Sequence, residues 1–408
     1  MDRDLLLRLP KPELHVHLDG SIRPQTLLEL AAEMGMELPS GTVDGLYETV
    51  YKETYEDLKD YLRSFRYSYL VMRDPESIER VSYELAVDNQ REGVRYVEVR
   101  FAPQLHLGGG MDYIDVFGAV SRGMDRAKRE FNRRPEVEGG SEPPFEYGII
   151  ACSLRYFDEE LSDYHGSFLK LHRHTDPDTI FGLASLELVG AAARARDQYG
   201  LPVVGVDLAG AEAGYPAAHH REAFAKAQRC FLKKTVHAGE AYGPESIFQA
   251  ITDLNADRIG HGTSLFNAGA VSDPTIKDRE AYVEALAQYI ADRRITVEVC
   301  LTSNMQITPS MEDLKDHPFG RMMEHRISVA LCTDNRTVSR TTVTDELLRA
   351  VRTFRLDLED LKNVLVYGFK RSFYPGRYSE KRSYVRKCID HIEKLIEPVM
   401  GGGRGQRF

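Results

Sequence analysis

Cysteine is scarce in this sequence, with five residues in 408, and none of the five stands in a Cys-x-x-Cys pair. An odd number of scattered cysteines argues against a disulfide framework and fits a reducing compartment. Long apolar runs are also lacking. No stretch reaches the roughly 18–20 residues that a membrane span requires, and the apolar run near the start is too short for a signal peptide. We therefore expect a soluble cytoplasmic protein with no membrane partner.

The sequence also has no surplus of basic residues. Lys and Arg number 53 against 63 Asp and Glu, so the formal charge is −10. Proteins that bind nucleic acids usually carry a basic surface, and this charge argues against such a partner. With 42% hydrophobic and 28% charged residues, the composition is typical of a folded globular chain.

Short β-type runs alternate with long amphipathic stretches over most of the chain, and no change in composition marks a domain boundary. This pattern predicts a single (β/α)₈ TIM barrel over residues 1–400 with insertions in its βα loops, and a flexible Gly-rich tail over 401–408. An open doubly wound sheet is the structural alternative. The predicted strands are Leu14–Leu18, Tyr96–Phe101, Tyr147–Ser153, Val203–Leu208, Thr235–Ala238, Arg258–His261, Thr296–Cys300 and Val329–Thr333.

Two segments are predicted to be additions to this scaffold. Residues 40–75 form a long excursion after the first strand, with a helical pattern around Tyr55–Tyr69. A His-rich stretch from His165 to His174 follows the third strand. We interpret it as a solvated insertion, and a rim contact with substrate or an adventitious metal ion is the alternative.

Histidines and one aspartate mark the predicted ends of four strands. His15 and His17 are two positions apart, so on a strand both imidazoles point to one face and can reach one metal ion. His237, His261 and Asp334 each come at the end of a further strand, where a barrel of this type builds its active site. Chance can explain any one of these placements, but the set together predicts a metal centre at the mouth of the barrel.

The chemistry of this set favours zinc in a catalytic role, because it offers nitrogen and carboxylate oxygen ligands without a thiolate. We interpret Cys300 and Cys332 as small core residues. A barrel that holds two metal ions can bridge them with a lysine on its fourth strand. Residues 203–210 contain no lysine, so one Zn²⁺ per chain is expected.

Six motifs in one order resemble the adenosine deaminase family over roughly residues 9–370. The motifs are Leu9-Pro-Lys-Pro-Glu-Leu-His-Val-His-Leu-Asp-Gly-Ser21, Asp207-Leu-Ala-Gly210, His237-Ala-Gly-Glu240, Ile259-Gly-His-Gly262, Cys300-Leu-Thr-Ser-Asn304 and Thr333-Asp334. The resemblance implies a barrel with one zinc ion. It implies that the metal ligands are His15, His17, His237 and Asp334.

The reaction that the resemblance implies is hydrolytic deamination of adenosine and 2′-deoxyadenosine to inosine and 2′-deoxyinosine, with release of ammonia. Attack on purine C6 requires an electron-poor ring, which protonation of N1 provides most directly. Glu240, three residues after His237, is close enough to serve as that acid. The resemblance implies that His261 orients the attacking water.

Three further positions are implied to contact a purine nucleoside. Asp19 resembles the family's contact to the ribose 5′-hydroxyl, and a carboxylate there would repel a 5′-phosphate and disfavour AMP. Gly210 resembles the residue whose backbone N–H meets purine N3, where a bare Cα permits close approach. The family commonly has two aspartates after the eighth strand, but Asn335 follows Asp334 here, and we hypothesise that its amide donates to purine N7.

An apolar stripe in the first insertion has two interpretations. Leu58, Tyr61, Leu62 and Phe65 follow the i, i+3, i+4, i+7 spacing of one helix face. The family uses such a helix as a gate over the nucleoside, and a core stripe is the competing interpretation.

Other functions stay open from the sequence. One is deamination of another adenine nucleoside with an extended 5′ end, such as aminodeoxyfutalosine. Another is a non-catalytic nucleoside-binding protein, although a pure binder needs neither an acid at Glu240 nor four metal ligands. The zinc deaminases of exposed bases carry a His-x-Glu and Pro-Cys-x-x-Cys signature. This sequence has no Pro-Cys-x-x-Cys, and Glu240 follows His237 in a His-x-x-Glu spacing.

Overall fold

A computed structural model describes the backbone of residues 1–402 and the side chains of residues 1–398. Eight parallel strands form one sheet in which each strand pairs with the next one in the chain. A bridge between Val16 and Asp334 brings the last strand back to the first. The strands are β1 Lys11–His17, β2 Val94–Phe101, β3 Glu146–Leu154, β4 Val203–Ala209, β5 Lys233–Ala238, β6 Arg258–His261, β7 Thr296–Val299 and β8 Ser328–Leu331.

The strand order confirms the (β/α)₈ barrel and excludes the doubly wound sheet, whose strand order reverses within the sheet. All eight predicted strands are present, with ends that move by up to three residues. Nearly every strand residue is buried, because helices cover the outside and side chains fill the inside.

Helices connect successive strands and wrap the barrel. Their ends carry local signals. Asp74 accepts a hydrogen bond from the Ser77 backbone N–H at 2.7 Å at the start of one helix, and Gly200 ends another with a φ of 67°. The helices are α1 Arg3–Arg8, α2 Pro24–Glu33, α3 Val43–Thr49, α4 Leu58–Arg63, α5 Arg66–Val71, α6 Pro75–Arg91, α7 Tyr113–Asn132, α8 Pro135–Glu138, α9 Asp163–Leu171, α10 Pro177–Tyr199, α11 Arg221–Arg229, α12 Pro244–Thr252, α13 Arg279–Asp292, α14 Leu301–Ile307, α15 Phe319–Glu324, α16 Val343–Phe354, α17 Leu358–Arg371 and α18 Tyr378–Gly402.

The insertion after β1 contains α3, α4 and α5, and the helical pattern around Tyr55–Tyr69 corresponds to the two short helices α4 and α5. The helix breaks at Ser64, whose backbone N–H bonds to the Tyr61 carbonyl at 3.1 Å, and whose hydroxyl donates to the same oxygen at 2.7 Å. These bonds span three residues instead of four, which tightens the chain and ends α4.

The His-rich stretch is only partly solvated, so its interpretation as a solvated insertion is wrong for its first residue. Most of it belongs to α9, where His165 is fully buried. The His165 ring contacts Phe157, with the ring centres 4.5 Å apart, and its Nδ1 hydrogen-bonds with the Ser162 hydroxyl at 2.7 Å. His174 is exposed.

Gly401 and Gly402 complete α18, and the remainder of the predicted tail, 403–408, lies outside the described residues. Within the described part of the chain, no helix combines the length and apolar character that crossing a bilayer demands.

Candidate active site

The strand ends at the mouth of the barrel bring the predicted histidines and Asp334 together. His17 Nε2 lies 3.2 Å from His237 Nε2 and 3.4 Å from Asp334 Oδ1. His15 Nε2 lies 3.3 Å from the same carboxylate oxygen. His261 belongs to the same cluster, since one atom from each of His15, His237, His261 and Asp334 lies within 4.8 Å of the others.

This cluster fits a divalent metal ion. The Nε2 atom of His15 is buried without a hydrogen-bond partner, and a buried polar nitrogen without a partner is costly. Imidazole nitrogens and carboxylate oxygens are donor types that zinc takes in catalytic sites. The residues present therefore suit such an ion, and His15, His237, His261 and Asp334 are the one group of this kind among the described residues.

Two buried carboxylates orient the histidines from inside the barrel. Glu298 Oε2 lies 2.9 Å from His15 Nδ1, and Asp207 Oδ1 lies 3.2 Å from His237 Nδ1. Arg100 donates to both carboxylates at 2.8 Å. Each carboxylate fixes the proton of its histidine on Nδ1 and leaves Nε2 free as a metal ligand.

These three charged residues, Glu298, Asp207 and Arg100, are site residues for which no motif or spacing predicted a role. The sequence pattern that could have identified them is a charged residue inside an otherwise apolar strand, such as Glu298 in Thr296–Val299. A fully buried charge needs a partner, so each such residue points to an ionic network.

The backbone is strained at two of the site residues. His261 and Asp334 adopt φ values of 65° and 60°, in the left-handed region that costs non-glycine residues free energy. Hydrogen bonds hold Asp334 in place: its N–H donates to the His15 carbonyl at 2.9 Å, and its carbonyl accepts from the His17 N–H at 2.7 Å. Its Oδ2 accepts from the Ser303 hydroxyl at 2.6 Å.

Glu240 lies beside this cluster on the loop after β5. Its side chain is 4% exposed, and its Oε1 is 3.4 Å from His261 Nε2. Burial raises the pKa of Glu240 well above its ordinary value, and the carboxylates of Asp334 and Glu212 raise it further. A carboxyl group that keeps its proton can act as an acid.

The loop that carries Glu240 is held by Glu212, a residue that the sequence analysis did not identify. The buried Glu212 carboxylate accepts hydrogen bonds from three successive backbone N–H groups, of Gly239 at 2.7 Å, Glu240 at 2.9 Å and Ala241 at 2.6 Å. It also accepts from the Ser246 hydroxyl. Its place two residues after Gly210 gave no pattern that points to this role.

Asp19 and Gly210 both lie near the mouth. Asp19 is buried in a 3₁₀ turn after β1, its Oδ1 has no hydrogen-bond partner among the described residues, and burial raises its pKa to about 6. Gly210 follows β4 with a φ of 89°, so the backbone conformation by itself favours glycine. A Cβ there would meet Leu154 at an ordinary 3.7 Å.

The apolar stripe packs against the site. Leu58, Tyr61 and Phe65 are buried in the main hydrophobic core, and Leu62 is half-buried against it. Leu58, Tyr61 and Leu62 lie on α4, whereas Phe65 lies in the break between α4 and α5. The stripe is therefore part of the core, and its use as a gate stays a prediction.

Asn335 is buried directly after Asp334. Its Nδ2 donates to the Tyr61 hydroxyl at 2.8 Å, and its Oδ1 has no partner in the described chain. An amide nitrogen carries two hydrogens. One hydrogen of Asn335 Nδ2 bonds to Tyr61, and the other is available for a second acceptor.

An eight-stranded parallel barrel with a buried histidine and aspartate cluster at the carboxyl ends of its strands defines a barrel enzyme whose active site suits a metal ion. The family model described as adenosine deaminase matches residues 10–390. The chain belongs to the adenosine deaminase family and is a hydrolase.

Full-length relatives agree with this assignment. An adenosine deaminase of Mycobacterium marinum is 32% identical over 97% of this chain and 96% of its own. Adenosine deaminase 1 of Streptomyces coelicolor is 35% identical over 95% of this chain and 87% of its own. Among solved structures, an Arabidopsis N6-mAMP deaminase has a TM-score of 0.70 and 26% identity, and the match covers 95% of this chain and 99% of that one.

Proposed function

We propose that this chain is a zinc-dependent deaminase of purine nucleosides, which hydrolyses adenosine and 2′-deoxyadenosine to inosine and 2′-deoxyinosine and releases ammonia. The observation that carries the proposal is the buried Glu240 carboxyl group, which lies 3.4 Å from His261 Nε2 beside the metal cluster. An acid next to a site for an activated water is what hydrolytic deamination requires.

One ion per chain would be held by Nε2 of His15, His17 and His237 and by the Asp334 carboxylate. Zinc bound there supplies a water of lowered pKa near neutral pH. The carboxylates of Glu298 and Asp207 support this set, because they keep the lone pairs of His15 and His237 directed at the ion.

Proton transfer is assigned to Glu240. Its raised pKa lets the carboxyl group keep a proton until it donates to purine N1, which draws electrons from C6. Glu212 fixes the Glu240 backbone through the hydrogen bonds described above, so the acid does not need to be ordered in each turnover. His261 Nε2 faces the same space and orients the attacking oxygen.

Three residues support the proposed substrate class: Asp19, Asn335 and Gly210. The unpartnered Oδ1 of Asp19 is available to accept from a ribose 5′-hydroxyl, and its negative charge opposes a 5′-phosphate. The second amide hydrogen of Asn335 is assigned to purine N7, and the Gly210 N–H to N3. The stripe of Leu58, Tyr61, Leu62 and Phe65 is assigned as the apolar cover of the base.

A substrate panel tests the proposal. Zinc-loaded protein is incubated with adenosine, 2′-deoxyadenosine, aminodeoxyfutalosine, AMP and N6-mAMP, and the ultraviolet change from adenine to hypoxanthine is followed. We expect the two simple nucleosides to have the highest kcat/KM. Preference for a nucleotide would overturn the assignment of Asp19, and tight binding without turnover of any of the five would indicate a non-catalytic binder.

A further inference from the structure

A chain of three hydrogen bonds leads from a backbone N–H to His261. It passes through His317, which is 2% exposed and lies just before α15. The Phe319 backbone N–H donates to His317 Nδ1 at 3.1 Å. A backbone N–H can only donate, so His317 Nδ1 carries no proton and the neutral ring carries its proton on Nε2. Burial lowers the pKa of His317 to about 3, which keeps the ring neutral.

The next two bonds carry this polarity to the site. His317 Nε2 lies 3.1 Å from Asn304 Oδ1, so the N–H donates to the amide oxygen. The other end of that amide, Asn304 Nδ2, lies 3.0 Å from His261 Nδ1 and donates to it. His261 Nδ1 is therefore an acceptor, and the proton of the neutral His261 ring is on Nε2.

The other histidines of the cluster have the opposite arrangement. His15 and His237 direct Nδ1 at the carboxylates of Glu298 and Asp207, so their protons are on Nδ1 and their Nε2 lone pairs are free. Distance alone groups His261 with these ligands. The hydrogen-bond polarity separates it from them, because a nitrogen that carries a proton cannot bind a metal ion.

We propose that Asn304 and His317 are positioning residues that hold His261 with its proton on Nε2, so that this N–H donates to the reacting oxygen. His261 is then neither a metal ligand nor the base that removes a proton from the water. His261 Nε2 is buried and makes no hydrogen bond among the described residues. The Glu240 carboxyl oxygen 3.4 Å away shows that this nitrogen faces the reaction space, where its N–H can donate to an oxygen atom. The identity of that oxygen rests on the proposed function, whereas the position of the proton does not.

NMR spectroscopy of zinc-loaded protein labelled with ¹⁵N-histidine tests the proton position directly, with His261→Gln used to assign the resonance. We expect His261 to be the Nε2–H form. Asn304→Asp replaces the donor at His261 Nδ1 by an acceptor of the same shape. In that variant His261 should gain a proton on Nδ1, kcat should fall by about 10²–10³-fold as for loss of one donor to a reacting oxygen, and KM and zinc content should change little.

A matched pair at His317 separates positioning from general structural damage. His317→Gln keeps an N–H near the position of Nε2, and it should retain the Nε2–H form of His261 and most of kcat. His317→Leu removes the donor, and this variant should lose both the Nε2–H form of His261 and most of kcat. If Asn304→Asp does not fold, the two His317 variants still test whether this chain of hydrogen bonds positions the proton of His261.

Two results would overturn the inference: an Nδ1–H form of His261 in the native protein, or equal spectra and kcat for the Gln and Leu variants. If no nucleoside is deaminated but the spectra behave as expected, the proposed function fails and the assignment of the proton stands.

Discussion

The Asn335 side-chain amide donates a 2.8 Å hydrogen bond to the Tyr61 hydroxyl. This contact joins the end of β8 to α4, which lies in the insertion after β1. The Tyr61 hydroxyl is also 2.9 Å from Ser339 Oγ. Asn335, which is assigned to purine N7, is therefore oriented by Tyr61, which is assigned to the apolar cover of the base. The position of the insertion after β1 is thus linked to recognition of the base.

Tyr61→Phe tests this link. The variant keeps the ring contacts with Tyr55 and Phe65 but leaves the buried Asn335 amide without its partner. We expect a loss of about 1–3 kcal/mol in the free energy of unfolding. We also expect a smaller preference for adenosine over 7-deazaadenosine, measured as the ratio of kcat/KM values. Ser339→Ala removes the other hydroxyl contact and is the control, because it leaves the Asn335 bond intact and should preserve that ratio.

Glu240→Gln tests the acid. Glutamine keeps the size and a hydrogen bond to N1 but has no proton to transfer, so kcat should fall by about 10²–10⁴-fold while zinc content is unchanged. Steady-state kinetics with elemental analysis of the same sample checks this. A variant with near-native kcat would show that another group protonates N1.

The metal ligands are tested by comparing two histidines of one cluster. His15→Ala should lower the zinc content well below one ion per chain, because it removes a ligand. His261→Ala should keep close to one ion and lose activity, because its proton occupies Nε2. Equal zinc loss in both variants would place His261 among the ligands, and two tightly bound ions in the native protein would contradict a single-metal site.

Glu212→Gln tests the support of the acid loop. A glutamine amide group would direct its own N–H at backbone N–H groups that now donate to the carboxylate. We expect the free energy of unfolding to fall by about 1–3 kcal/mol and kcat to fall more than KM rises. Ser246→Ala removes only the hydroxyl donor and should be milder in both measurements, so equal effects would argue against a special role for the backbone contacts.

Acid sensitivity should come partly from histidines that are buried outside the site. Burial lowers the pKa of both His165 and His220 to about 3, whereas an unfolded histidine titrates near 6.5. The unfolded chain therefore binds more protons between these values, and stability falls as the pH drops below about 6.5. His165→Phe should reduce the loss of unfolding free energy between pH 7 and pH 5 by about 1–2 kcal/mol. Denaturant titrations at the two pH values measure this, and an unchanged loss would contradict it.

The sequence predicted the barrel well because its signals are local. Several of the strands are short runs rich in β-branched residues, and residues such as His261 stand at their ends. The helical pattern around Tyr55–Tyr69 did not show the break between α4 and α5, because the bonds of Ser64 that end α4 leave no mark in the apolar spacing. The interpretation of His165 failed because only the tertiary packing against Phe157 shows that this polar segment is buried.

The supporting residues of the site could not be found from spacing. Glu212 acts through backbone N–H groups on another loop, and His317 acts through Asn304, so neither role leaves a periodic pattern. Arg100 was detectable only as a charge inside a buried strand. Such roles depend on which residues the closed barrel brings into contact, and these contacts join distant parts of the chain.

The contact of Asp334 with His15 and His17 also has a consequence for the order of folding. The strands that meet there are separated by almost the whole barrel: the nearby Glu13 and Thr333, 320 positions apart, are hydrogen-bonded at 2.8 Å. On the ribosome, the first two histidines emerge long before their carboxylate partner, and loop closure over this distance is slow. Tight metal uptake should therefore be among the last events of biogenesis, and the rate of zinc capture during refolding should report on the joining of the first and last strands.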